Sequence, residues 1–411
     1  MKLPQPAPHS ACGCERNPRT YGGRLTRPLN FLRTHPIAML RTATVFVFLC
    51  FMLLWPHVAP VATAQTPDDG TVVALNDDVQ FRFGSLLQPR FSYLRDERTD
   101  AETAGFGVRR YRLFTVVDLG DRVNLFAQLE GGAGVGPASF IDLQANLRVS
   151  DTWTVYAGRV IGAQPRAYAL TLLPLLDSID RPTISVAWAT RTLGADGRTY
   201  GAGLQHQSDA LTVHLTAFNG TNERNLMAEI ASDAPVAEQD LSLAAGAFAT
   251  YRVPGVSGLE FGGHASYNAS RNRFTAVDGA GRRYTDASAH MYYGADPGSQ
   301  PVRFKAEAIG IWYEEAPAAT DDTFWGVATM GAVRVHRAVE LLARAERMNE
   351  ASPGPEDTQT VLTIGGILSQ SALAGGPFNR HRLTAGYSVR QTGDDVDTRR
   401  HQAALQLQLV F

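Results

Sequence analysis

His401-Gln402-Ala403-Ala404-Leu405-Gln406-Leu407-Gln408-Leu409-Val410-Phe411 alternates with a period of two. Ala403, Leu405, Leu407, Leu409 and Phe411 share one side of an extended strand, and Gln402, Gln406 and Gln408 lie on the other. One face is therefore apolar and the other hydrogen-bonds water. Strands of a transmembrane β-barrel carry this pattern, with lipid outside and a wet lumen inside. A soluble sheet alternates too, so the fold turns on whether the preceding chain repeats the stretch.

Fifteen earlier segments repeat it: 79–94, 106–118, 123–134, 140–149, 152–161, 198–207, 211–219, 241–253, 259–269, 285–294, 302–313, 323–335, 339–348, 358–368 and 381–391. Long polar gaps alternate with short turns such as Leu119-Gly120-Asp121-Arg122 and Ser208-Asp209. Sixteen segments on this plan predict an all-β, up-and-down antiparallel transmembrane barrel with both ends on the short-turn side, 14 or 18 strands being the neighbouring solutions. The longest gap, 162–196, contains Ala169-Leu170-Thr171-Leu172-Leu173-Pro174-Leu175-Leu176. Such a stretch is too apolar for a solvated loop. It is expected to fold inward, pack on the barrel wall, and carry Arg166, Arg181 and Arg191 to a constriction. Capping the barrel or mediating a subunit contact are its other readings.

Charge tests the assignment of faces, because an Arg or Lys facing lipid at the bilayer midplane costs roughly 2–4 kcal/mol. Arg110 and Arg112 oppose Tyr111 and Leu113; Glu130 opposes Leu129; Arg148 opposes Leu147; Arg303, Lys305 and Glu307 oppose Phe304 and Ala306; Arg382 and Arg390 oppose Leu383 and Val389. With Arg159 and Arg344 these are the candidate lumen-lining charges. Segment 339–348 is less clean, since Leu342 shares its face with Glu340, Arg344 and Glu346. Tyr93, Trp153, Tyr156, Tyr251, Trp312, Tyr313 and Trp325 stand at segment ends, where interfacial girdles form.

The formal net charge of −2 hides an asymmetry. Residues 1–65 hold Lys2, Arg16, Arg19, Arg24, Arg27, Arg33 and Arg41 against Glu15 alone, which leaves 31 basic and 39 acidic residues beyond them, a net of −8. Arg41 precedes an apolar run from Ala43 to Trp55, and Ala62-Thr63-Ala64 offers the small residues a signal peptidase reads. That run is shorter than the roughly 20 residues of a spanning helix. The expected organisation is a signal-peptide region over 1–64, with Met39 as the true start and cleavage near Ala64. A flexible lead-in over 65–78 and the barrel over 79–411 follow. An amino-terminal anchor helix is the competing reading. Cys12, Cys14 and Cys50 all precede the cut, so no disulfide, thiolate nucleophile or cysteine-held metal is expected beyond it.

No nucleophile motif, phosphate-cradling glycine loop or paired-histidine metal motif is visible, and His206, His214, His264, His290, His336, His381 and His401 are scattered singly. Lys2 and Lys305 are the only lysines, so nearly every cation is a guanidinium, with forked donors that match carboxylate or phosphate.

Phe106-Gly107-Val108-Arg109-Arg110-Tyr111-Arg112-Leu113 resembles the strand G-F-x-x-R-R-A-R-L of the phosphate-selective porins of the O and P type. Further resemblances follow in the family's order. Leu119 to Glu130 is similar to its next strand, Phe140-Ile141-Asp142-Leu143-Gln144-Ala145 to D-A-Y-L-E-Y, and Val155-Tyr156-Ala157-Gly158-Arg159 to x-R-V-G-Q. Ser178-Ile179-Asp180-Arg181 is similar to F-I-E-R and Phe218-Asn219-Gly220 to F-N-G. The resemblance covers 106–220 by motif and the remainder by strand pattern. It implies a homotrimeric 16-stranded outer-membrane channel with an inward third loop, an assembly signal in Phe411, and a late-loop arginine matched by Arg191 or Arg198. The family's phosphate selectivity depends on a lumen rich in Lys and Arg, whereas this chain carries −8. The expected function is therefore a porin in outer-membrane lipid, passing small hydrophilic solutes or ions passively. An anion- or phosphate-selective channel is the alternative; a plugged structural or adhesive barrel and a barrel hydrolase are alternatives of other classes. No enzyme activity, cofactor, metal or nucleic-acid partner is expected.

Overall fold

The structure, a computed structural model, describes residues 71–132, 136–194, 196–219, 243–269, 283–314, 323–349, 358–393 and 399–411. The expected signal-peptide region lies outside the described residues. Six strands precede the long loop: β1 (Thr71–Asn76), β2 (Val79–Asp96), β3 (Ala101–Leu119), β4 (Val123–Gly132), β5 (Gly136–Arg148) and β6 (Trp153–Val160). Eleven follow it: β7 (Thr199–Gln207), β8 (Leu211–Phe218), β9 (Ala244–Arg252), β10 (Leu259–Asn268), β11 (Tyr284–Tyr293), β12 (Val302–Tyr313), β13 (Thr323–His336), β14 (Val339–Asn349), β15 (Thr358–Ser369), β16 (Arg382–Thr392) and β17 (Arg400–Val410).

From β2 to β17 each strand pairs antiparallel with the next, and β17 returns to β2 from Arg400↔Asp96 to Val410↔Leu86. The sixteen strands thus close into a barrel with no open edge. Phe411 completes the seam, exchanging two 2.9 Å backbone hydrogen bonds with Ser85.

Two stretches depart from expectation. The lead-in, read as flexible, contains β1, whose Thr71–Ala74 pairs with Phe83–Gln80 of β2. β2 begins seven residues before the end of its pairing with β17, and β1 takes up the backbone groups exposed there. Residues 95–104, read as a polar loop, continue both strands to a tight turn with Asp100 at φ 51°. Arg95 and Glu102 face each other across that ladder and pair at 3.3 Å, so polarity here favours the strand pair.

Leu125, Leu143, Leu147, Val155, Leu215, Phe261, Val327, Leu362 and Ile364 are exposed on the outer surface, an apolar band suited to lipid. No helix among the described residues is long and apolar enough to cross a membrane. Trp153, Tyr251, Trp312 and Trp325 are exposed as a girdle requires. Tyr156 and Tyr313 turn inward instead. Tyr156 is buried against Thr216 at 2.6 Å, and the Tyr313 hydroxyl donates to the Arg191 carbonyl at 3.2 Å. Leu342, the misfit of its strand, packs in the lumen with Met330 and Ala332.

The long loop, from Ile161 to Arg198, folds inward through helix α1 (Arg166–Ala169), a 3-10 turn at Leu173–Leu175, and helix α2 (Thr183–Arg191). Its expected apolar anchor is real: Leu173 and Leu176 are buried against Leu86 and Val410. The larger anchor is α2, whose Ile184 and Trp188, one helical turn apart, are buried with Ile309, Ile311 and Phe324. Each such side chain contributes about 1.5–3 kcal/mol by leaving water.

Candidate functional site

Polar groups fix the loop where apolar packing alone would let it slide. Glu346 of β14 accepts from the Ile184 N–H at 3.1 Å and the Thr183 hydroxyl at 3.4 Å, placing a carboxylate at the N-terminus of α2. Trp188 Nε1 donates to Asp286 of β11 at 3.2 Å. Arg166 pairs with Glu260 of β10 at 2.7 Å, and Glu307 of β12 accepts from the Ala167 N–H at 3.4 Å. Asp177 is gripped by Arg303 and Lys305, each at 2.7 Å, and Arg303 is held in turn by Glu340 at 2.5 Å. Burial pushes the Asp177 carboxyl up, but Lys305 and Arg303 outweigh it and hold it at about 2.

Past Asp177 the loop bridges to the opposite wall. Asp180 pairs with Arg90 of β2 at 2.9 Å and with Arg109 of β3 at 3.6 Å, while Arg344 of β14 donates to its carbonyl at 3.2 Å. Arg382 donates to the Leu176 carbonyl at 2.6 Å. The loop therefore fills the lumen on the β8–β14 side and is pinned across it at β2.

The space left open is a cavity of about 750 Å³. Its lining includes nine arginines, Arg109, Arg110, Arg112, Arg159, Arg181, Arg198, Arg344, Arg390 and Arg400, against the three acids Glu130, Asp180 and Asp196. Glu130 pairs with Arg112 and, at 3.1 Å, with Arg110. Arg198 holds Asp142 with both prongs at 3.1 and 3.2 Å, and Arg159 pairs with Asp196 at 2.5 Å. Burial opposes the Arg198 charge, yet Asp142 and Asp196 raise its pKa above the ordinary value. Arg181 differs. Its acceptors are the Ala167 and Thr171 carbonyls, the latter at 2.8 Å, and it lies 4.5 Å over the Tyr168 ring. Burial, with Arg198 and Arg110 nearby, brings it down to about 10, so it stays charged at neutral pH without a carboxylate partner among the described residues.

Of the predicted charges, Arg110, Arg112, Glu130, Arg159, Arg181, Arg344 and Arg390 are brought together on this cavity. The other seven are not. Arg166, Arg303, Lys305 and Glu307 are buried behind the loop, the three cations paired with Glu260, Glu340 and Asp177 and Glu307 accepting from the Tyr292 hydroxyl. Arg382 is buried beneath it. Arg191 lies 4.7 Å over the Phe324 ring at the end of α2, and Arg148 is exposed at the short-turn end of β5. The late-loop arginine on the cavity is Arg198 rather than Arg191.

Arg109 escaped the sequence reading for a physical reason. Gln88 stands opposite Arg110 but Pro89 opposite Val108, so β3 bulges at Arg109. Proline has no N–H to continue the ladder. The extra residue turns Arg109 to the cavity beside Arg110 and flips the faces above it, which exposes Phe106 and Val108 outward.

The histidine–carboxylate contacts do not form a nucleophile site. His264 lies 3.4 Å from Asp286, but both are sealed behind Trp188, and Ser266 donates to Asp286 rather than to the imidazole. His401 meets Glu97 at 3.0 Å with Tyr387 on its other nitrogen. Among the described residues no group of His, Cys, Asp and Glu is arranged to hold a metal.

No protein-family model matches the sequence, and no curated protein matches it. Solved structures do. An anion-selective porin from Comamonas acidovorans superposes with a TM-score of 0.59 at 11% identity, over 81% of this chain and all of that one. Salmonella typhi OmpF, in a complex with daunomycin, gives 0.56 at 12%, over 83% of this chain and all of that one. The outer membrane channel DcaP of Acinetobacter baumannii gives 0.53 at 11%, over 83% and 99%. The likeness to the first two spans those chains whole, and what it establishes is the fold: a closed sixteen-stranded barrel of the architecture seen in outer-membrane porins.

Proposed function

We propose that the chain is a porin of the bacterial outer membrane, a passive water-filled channel for small hydrophilic solutes that favours anions. The observation that carries this is the cavity lining, nine guanidinium groups against three carboxylates, with Arg181 lacking a carboxylate partner among the described residues. A lumen wall of one sign concentrates counter-charged solutes and excludes the other sign. The overall −8 does not contradict this, because Glu260, Glu307, Glu340 and Asp286 are buried away from the cavity. The outward apolar band supports lipid as the surroundings, and the homotrimer implied by the family resemblance remains part of the proposal. A plugged barrel is disfavoured by the cavity itself.

Reversal potentials across a salt gradient, measured for purified protein in planar bilayers, test the reading. Chloride is expected to permeate in preference to potassium. Absence of any conductance overturns the porin assignment, and a potassium preference overturns the anion assignment.

A further inference from the structure

On the short-turn side of the arginines the lumen wall changes chemistry. Asn124 and Gln128 of β4, Gln144 and Asn146 of β5, Thr154 of β6 and Gln205 of β7 are neutral and half-buried. Their strand neighbours Leu125, Leu143, Leu147 and Val155 are exposed to the lipid side, which places the six on the inner face. Asn124 stands opposite Asn146 and Thr154 opposite Gln205, with Phe126, Arg148 and Tyr156 interleaved on the same face. Gln144 donates to Asn146 at 2.5 Å and Asn146 to Asn124 at 2.7 Å. Gln128 accepts from Arg112 at 3.0 Å, which joins the amides to the charged wall. Most of the loop's polar contacts go elsewhere, to Glu260, Glu307, Glu346, Asp286, Arg303, Lys305 and Arg90. On these strands it bonds Asp142 and Arg159, through Arg198 and Asp196, and none of the six.

An amide donates and accepts, as a hydroxyl does. A row of amides can replace the hydration of a polyol stripped of water in a narrow lumen. It offers a chloride ion little that the guanidiniums do not already supply. We infer that the preferred solute is a polyhydroxylated organic anion of the sugar-acid kind, its charged group taken by the arginines while its hydroxyls exchange water for the amide row. The inference rests on the anion-favouring reading above and narrows it.

Gluconate and hexanoate have equal charge and chain length and differ in hydroxyls, so their permeability ratio from bi-ionic reversal potentials isolates the amide row. Wild type is expected to favour gluconate despite its larger volume. Gln144→Met and Asn146→Leu keep side-chain volume and remove hydrogen bonding; each is expected to lower the ratio about threefold, leaving the chloride-to-potassium ratio unchanged. Glucose 6-phosphate in place of gluconate distinguishes a phosphate from a carboxylate head group, and preferential permeation of either supports the inference. A ratio unchanged in both variants overturns it. Should a variant fail to insert, wild type alone decides: gluconate is expected to reduce chloride current at concentrations where hexanoate does not, and equal effects overturn the inference. Loss of chloride preference would strike only the broader anion reading, because the two test anions carry the same charge.

Discussion

Arg90 holds Asp180 by both prongs, Nη1 at 3.1 Å and Nη2 at 2.9 Å, and so ties the tip of the inward loop to the barrel wall. Its Nη2 also donates to the Ile179 carbonyl at 3.2 Å, and its Nε to Gln406 at 2.9 Å, so all three nitrogens are used. Forked pairs of this kind fix orientation as well as distance. Arg90→Ala is expected to free the tip, raising single-channel conductance and open-channel noise together. Wild-type values for both would show that the tip is held by its other contacts, Arg109, Arg344 and the Leu173–Leu176 packing.

The loop's second tie has a defined pH window. Burial raises the Asp177 carboxyl, but Lys305 and Arg303 overcome this and leave it at about 2, below its unfolded value near 4. A depressed carboxyl contributes stability that is fully present above the unfolded value and is lost as pH falls through the folded one. The loop should therefore stay seated from neutral pH to about 4, and the contribution of Asp177 should disappear between about 4 and 2. Asp177→Ala removes the window and strands the buried Lys305, Arg303 keeping its pair with Glu340, at a cost of about 3–5 kcal/mol. Thermal unfolding of wild type and variant across that range checks the sign: the difference between them should shrink as acid is added.

Lys305 gives an independent reading of the same contact. It is the only lysine after Lys2, its side chain is 9% exposed, and its ammonium meets Asp177 at 2.7 Å. An amine-acylating reagent is expected to leave Lys305 unmodified in the folded barrel and to modify it fully after denaturation, as read by peptide mass. Rapid acylation of the native protein would mean that the loop does not cover it.

The barrel was legible because its causes are local. Alternation and turn residues set strands, and their even number with long and short connections sets the topology. The occupancy of the lumen was not legible, since alternation assigns a face but not what stands in front of it. Arg303 and Arg110 have the same pattern in sequence, yet Asp177 covers the first and open space meets the second. The −8 balance says little about the cavity for a related reason: charge counted along a chain ignores which acids a loop sequesters. The helix carrying Ile184 and Trp188 was hidden because nine residues behind Pro182 show too little periodicity to stand out.

Selectivity should follow that geometry rather than the count of charges. Arg181 is on the cavity without a carboxylate partner among the described residues, whereas Arg191 is stacked on Phe324 away from it. Arg181→Ala is expected to lower the chloride-to-potassium permeability ratio severalfold, a loss of about 1 kcal/mol at one charged contact. Arg191→Ala should leave the ratio unchanged. Reversal potentials of the two variants, side by side, decide whether the loop acts through its tip or through α2.

The bulge at Arg109 makes the sharpest claim, because strict alternation and the structure place the same side chain on opposite sides of the wall. Alternation groups Arg109 with Tyr111 and Leu113, facing lipid; the break between Gln88 and Pro89 turns it inward beside Arg110. Lipid exposure there would cost roughly 2–4 kcal/mol at the midplane, which is the physical pressure the bulge relieves. Cysteine placed at 109, 110 or 113 and exposed to a membrane-impermeant thiosulfonate separates the two. Arg109→Cys and Arg110→Cys should both be modified from water, with a fall in current as a charged adduct enters the lumen, while Leu113→Cys should remain unreactive. Protection of Arg109→Cys alongside reaction of Arg110→Cys would restore strict alternation. Replacing Pro89 by Val tests the cause: a residue with an N–H allows the ladder to close, and Arg109→Cys in that background should lose reactivity if proline is what holds the bulge open.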